Sequence, residues 1–176
     1  DPATTEIYTL SLHDALRSVK TGLSVDDYPA CGNVWGADFV GHSGGWIIYV
    51  DSQAVGLNNG TSWVDAFASV QDALDAASDG MEILVAQGTY RPTRRVAAGD
   101  SRSAVFALKQ GVVLRGGYAG CQADDPNRRD ISGFKTVLNG DVNQDDGANF
   151  VNYADNCYHV VSADNVDDST VLDGFT

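Results

Sequence analysis

The stretch Asp141 to Asn149, DVNQDDGAN, puts oxygen-bearing side chains at alternate positions, Asp141, Asn143 and Asp145, with Asp146 beside them. Carboxylate and amide oxygens in this rhythm suit a hard divalent cation, so Asp141, Asn143, Asp145 and Asp146 form a candidate calcium site. The loop departs from the EF-hand rule in two ways. Its glycine, Gly147, comes one place late, and the twelfth position holds Asn152 where a bidentate Glu belongs. The competing reading is a solvated acidic loop. A second cluster, Asp124 to Asp130, mixes carboxylates with Arg128 and Arg129, whose planar guanidinium forks match the carboxylate of a sugar acid. Its competing reading is a loop that pairs with itself.

Tyr90, Tyr118 and Trp63 offer rings for stacking on sugars, although Trp63 also fits the apolar face of a helix and the tyrosines flank strands. His13, His42 and His159 join no Ser and Asp in a recognisable order, and no Gly-x-Ser-x-Gly elbow exists, which argues against nucleophilic hydrolysis. Carboxylates are too numerous for a glycosidase pair to stand out. No catalytic residue is assigned. Asn59-Gly60-Thr61 has the form of a glycosylation acceptor.

The elements that must carry these residues divide the chain near Gly44-Gly45. Residues 1–45 are irregular, with a weak helical stripe and a glycine-rich end. Within them, residues 3–16, ATTEIYTLSLHDAL, resemble the translated read-through of a sequencing adaptor, against the alternative of a native amphipathic helix. Residues 46–176 are strongly patterned. A strand over Trp46 to Val50 leads into a polar turn. A helix is then expected from about Ser62 to Ser78, because Trp63, Phe67, Val70, Leu74 and Ala77 share one face of a 3.6-residue spiral. Ser62 with Asp65 supplies a start signal and Asp79-Gly80 a stop. Beyond it come β-rich runs over Met81 to Ala86, Val105 to Leu108, Val112 to Tyr118, Thr136 to Leu138, Tyr158 to Ser162 and Thr170 to Phe175. Several are continuously apolar, as buried or stacked strands are. Three phrases echo one another: VLRGGY from Val113, VLNGD from Val137 and VLDGF from Val171. Their unequal spacing suits stacked coils with variable loops.

Composition narrows the partners. Eleven basic against 24 acidic residues leave a net charge of −13, which opposes nucleic-acid binding. No apolar run reaches membrane-spanning length, and no signal peptide is visible. Cys31, Cys121 and Cys157 fit no zinc spacing; a Cys121 to Cys157 bridge is open, and free, partly buried thiols are the favoured reading.

The phrases IYVDSQAVGLNNGTSWVDAFASVQDALDAA, MEILVAQGTYRPT, VFALKQGVVLRGGYAG, DPNRRD, TVLNGD and YHVVSADNVDDSTVLDGFT resemble right-handed parallel β-helix proteins of pectin-lyase-like fold, of the bacterial secreted or surface type. The resemblance covers residues 47–176. It implies an all-β solenoid with an N-terminal amphipathic capping helix, cut off at its C-terminal end, and an extracellular or cell-surface setting. The function expected is a non-catalytic scaffold for adhesion, surface display or glycan contact, because the readable motifs serve cap, turn and coil and none requires chemistry. The alternative is a fragment of a polysaccharide lyase or glycoside hydrolase whose active coils lie beyond residue 176. The expected partners are a polysaccharide or cell-surface glycan and further β-helix coils of the same full-length protein. No position matches the lyases' calcium carboxylates or catalytic Arg or Lys, so none is carried over.

Overall fold

The computed structural model describes residues 46–176. The expectations for residues 1–45, including the adaptor-like stretch, lie outside the described residues. In chain order the elements are β1 (Ile47–Val50), α1 (Val70–Ala76), β2 (Glu82–Ala86), β3 (Gly88–Tyr90), β4 (Phe106–Ala107), β5 (Val113–Tyr118), β6 (Thr136–Leu138), β7 (Val161–Ser162) and β8 (Val171–Asp173). Short 3-10 turns cover Ser101–Ser103, Ala148–Phe150 and Tyr153–Asp155. The expected runs all contain strands, and β3 follows β2 within the phrase MEILVAQGTYRPT.

All the ladders are parallel. One sheet has the order β1-β2-β5-β8, and two small sheets pair β3 with β6 and β4 with β7. The all-β reading as a right-handed parallel β-helix is therefore corrected. The described residues form a small mixed fold of one helix and three small parallel sheets, with no continuous solenoid among them. The echoing phrases show why the inference overreached. Val113 and Leu114 do stand beside Val171 and Leu172 in register, but Val137 pairs with Thr89 in a separate sheet. A shared phrase marks a strand followed by a turn, and different sheets use that same local chemistry.

Sheet alternation explains the continuous apolar runs. Along β2, Ile83 and Val85 face a core built with Val50, Leu74, Phe106, Val112 and Leu114, while Leu84 and Ala86 face a second cluster around Trp63 and Cys121. Both faces are covered, so neither set can be polar. Thr136 ties the sheets together: its buried hydroxyl accepts from Gly117 N at 2.9 Å and donates to Ala86 O at 3.2 Å.

The helix is shorter than expected. Ser62 Oγ does accept from Asp65 N at 3.1 Å, as the first half of a capping box would. The next backbone groups are engaged elsewhere, however. Phe67 N donates to Tyr49 O, Phe67 O accepts from Asp51 N, and Asp65 O accepts from Asn59 N and Gly60 N. With those groups bound to β1 and the preceding turn, helical bonds cannot start until Ser69, whose hydroxyl accepts from Gln71 N and Asp72 N. Val70, Leu74 and Ala77 then bury against the core as the stripe anticipated, with Ala73 beside them. Trp63 instead lies in the second cluster, edge-on to Tyr49 at 4.9 Å, with its indole N–H on Asn127 Oδ1 at 2.9 Å.

Candidate metal centre

The loop 141–156 is closed at its base, where Cys157 N donates to Gly140 O at 2.9 Å. Two arginines hold its flanks through backbone carbonyls: Arg91 Nε donates to Asp141 O and Arg102 Nε to Asn156 O, each at 2.9 Å. Asp141 is the buried pivot. Its carboxylate accepts from the backbone N–H of Gln144 at 2.7 Å, Asp145 at 3.3 Å and Asp146 at 3.4 Å, so the chain winds around it. This winding brings carboxylate oxygens of Asp141, Asp145 and Asp146 within 4.8 Å of one another. Asp141 Oδ1 accepts two of these bonds and Oδ2 one, so a lone pair on Oδ2 is left to ligate.

Of the four residues expected from sequence, three converge. The amide nitrogen of Asn143 donates to Asp155 Oδ2. Two residues that the spacing did not single out complete the surroundings. Asn156 Nδ2 donates to Asp146 Oδ2 at 2.9 Å, and Asp155 acts electrostatically on Asp145. Asp155 Oδ1 and Asn156 Oδ1 are shielded from solvent and have no hydrogen-bond partner. Buried oxygens without a donor call for an explanation, and a cation is one. Only oxygen donors gather here, the set that hard cations such as calcium and magnesium select over zinc or copper. Loss of hydration within the loop, followed by the charges of Asp155, Asp141 and Asp146, holds the Asp145 carboxyl above the usual carboxylate range.

The arginines of the Asp124 to Asp130 cluster are engaged by groups outside it rather than by its own carboxylates. Arg129 donates to Gly116 O at 2.9 Å and to Asp173 Oδ2 at 2.8 Å, and Arg128 lies over the Phe134 ring. Asp125 and Asp130 accept from nearby backbone N–H groups. An open depression of about 450 Å³ runs along Arg128 to Ile131, but the Arg129 fork that would grip a sugar acid is occupied. Tyr90 is buried with its hydroxyl on Ala86 O at 3.1 Å, and Trp63 is buried against Tyr118, so neither presents a face to a sugar. The exposed rings among the described residues are Trp46, Phe150, Tyr153 and Tyr158, of which Phe150 and Tyr153 lie on the acidic loop.

Of the histidines, His159 alone lies among the described residues, exposed and outside any catalytic arrangement. Cys121 is disulfide-bonded, correcting the free-thiol reading, while Cys157 carries a free thiol whose burial pushes its pKa up. No described helix is long and apolar enough to cross a membrane. No family model matches the chain, and no curated protein or solved structure shows significant similarity to it.

Proposed function

We propose that residues 46–176 serve as a non-catalytic extracellular module for glycan contact, with a calcium ion organising the 141–156 loop. The observation that carries the reading is the convergence of the Asp141, Asp145 and Asp146 carboxylates beside the unpartnered Asp155 Oδ1 and Asn156 Oδ1. The three converging carboxylates fall short of calcium's six to eight oxygen ligands, and water supplies the rest in such sites. The Cys121 disulfide supports an oxidising, extracellular setting. The acidic balance turns the module away from nucleic acid.

Calorimetric titration with calcium chloride tests the reading. One site per chain is expected, with a raised thermal midpoint, and Asp145→Asn with Asp146→Asn should remove both effects. These two residues are the right targets because Asp141 also holds the loop's backbone and its loss would confuse folding with binding. Absence of both heat and midpoint shift in the unaltered chain overturns the calcium centre.

A further inference from the structure

The tip of the same loop carries a second feature. Gly147 N donates to Val151 O at 2.9 Å, closing a tight turn whose far side is Ala148-Asn149-Phe150. Asn149, Phe150 and Asn152 all have positive φ, at 59°, 64° and 66°. Asparagine tolerates the left-handed region, but a bulky aromatic residue there is an outlier that costs free energy. Phe150 is 81% exposed and Tyr153 43%, with ring centroids 5.3 Å apart and planes at 79°. The two rings therefore make an open notch, held by backbone geometry, on an otherwise acidic and polar loop.

We propose that this notch is the sugar contact of the module and that it takes a neutral pyranose, whose C–H face packs on the Phe150 ring. The proposal rests on the glycan-contact reading above and assigns its place and ligand class. Three observations favour it. Hydroxyl-binding groups flank the rings: the Asn149 amide and the Tyr153 phenol have no hydrogen-bond partner among the described residues. The loop 141–156 holds Asp141, Asp145, Asp146 and Asp155 and no basic residue, so it stays net negative with one divalent cation bound and disfavours polyuronates, which leaves neutral sugars as the matching class. The exposed apolar tip consists of Phe150, Val151 and Tyr153, far smaller than the roughly 20 to 30 residues a side of a stable protein interface.

The test is calorimetry on the full chain in calcium-containing buffer, with cellohexaose, chitohexaose and mannohexaose as neutral probes and hexagalacturonate as the acidic control. Binding of at least one neutral hexaose is expected, weakened roughly tenfold by Phe150→Ala or Tyr153→Ala and largely restored by Phe150→Tyr, as ring stacking predicts. The thermal midpoint of each variant establishes that the fold is retained. If a neutral hexaose binds and Phe150→Ala binds it equally, the notch is overturned while the glycan-contact reading stands. Binding of hexagalacturonate alone overturns the neutral class. Binding of no glycan overturns both. Phe150-dependent self-association in sedimentation, with no sugar bound, assigns the tip to protein contact and overturns the proposal.

Discussion

Asp145 is where charge and conformation meet at the scale of a single residue. Its carboxyl titrates above the usual range, first through lost hydration and then through Asp155, Asp141 and Asp146. A carboxyl whose folded pKa exceeds its unfolded value binds more protons in the folded state between the two values. Without a cation, Asp145 therefore lowers stability as pH rises from the unfolded value of about 3.9 through the folded one. Calcium needs the ionised form, so the metal and the proton compete. The expected outcome is that calcium affinity falls as pH drops through the raised Asp145 value, with proton release on binding, measured by titration in buffers of different ionisation enthalpy. Affinity that stays constant through that interval would separate Asp145 from the metal. Alternation of oxygens made Asp141 and Asp145 legible in sequence, with Asp146 as the neighbour of Asp145. Asp155 and Asn156 were not, because only the closure of Gly140 against Cys157 carries them back to the start of the loop.

Among the elements, α1 separates what periodicity reveals from what it hides. Two serines compete to start the helix, and the structure selects Ser69. Replacing Ser69 by Ala should cost about 1 kcal/mol, the usual loss when a cap is removed, and Leu74→Ala about 2 to 5 kcal/mol, both read from denaturant midpoints. Leu74 is fully buried, so its loss leaves a cavity in the main core. A Ser69→Ala protein as stable as the parent would show that the helix does not depend on this cap. Apolar spacing placed Val70, Leu74 and Ala77 correctly, since it reports which side chains face the core. It could not report that the Phe67 backbone pairs with β1, because a bridge and a helical turn leave the same aromatic residue facing inward. The strands were legible for a comparable reason, as β-rich runs between turns. Their grouping was not: β5 and β6 share a phrase, yet the register that assigns them to different sheets depends on loop lengths and on Thr136 bridging the corner.

For the whole molecule, the acidic excess and the ion pairs predict opposite responses to salt. A net charge of −13 repels itself, and screening should stabilise the folded chain. Against this stand the pairs along the sheet surface, where Arg115 bridges Glu82 and Asp173, Arg129 also meets Asp173, and Arg94 meets Asp75. These side chains are 25% to 54% exposed, and surface pairs of that kind contribute about 0 to 1 kcal/mol each and weaken as salt rises. Relief of the general repulsion should win, so the thermal midpoint is expected to rise with sodium chloride up to about 0.5 M, where the Debye length has fallen to roughly 4 Å. The same experiment distinguishes a calcium site from a merely acidic surface. At matched ionic strength, calcium chloride should raise the midpoint beyond sodium chloride, and the extra rise should vanish in the Asp145→Asn, Asp146→Asn double variant while the sodium response remains. Equal midpoints in the two salts would mean that the carboxylates of this loop are screened like any others on the surface, and the metal centre would have to be given up.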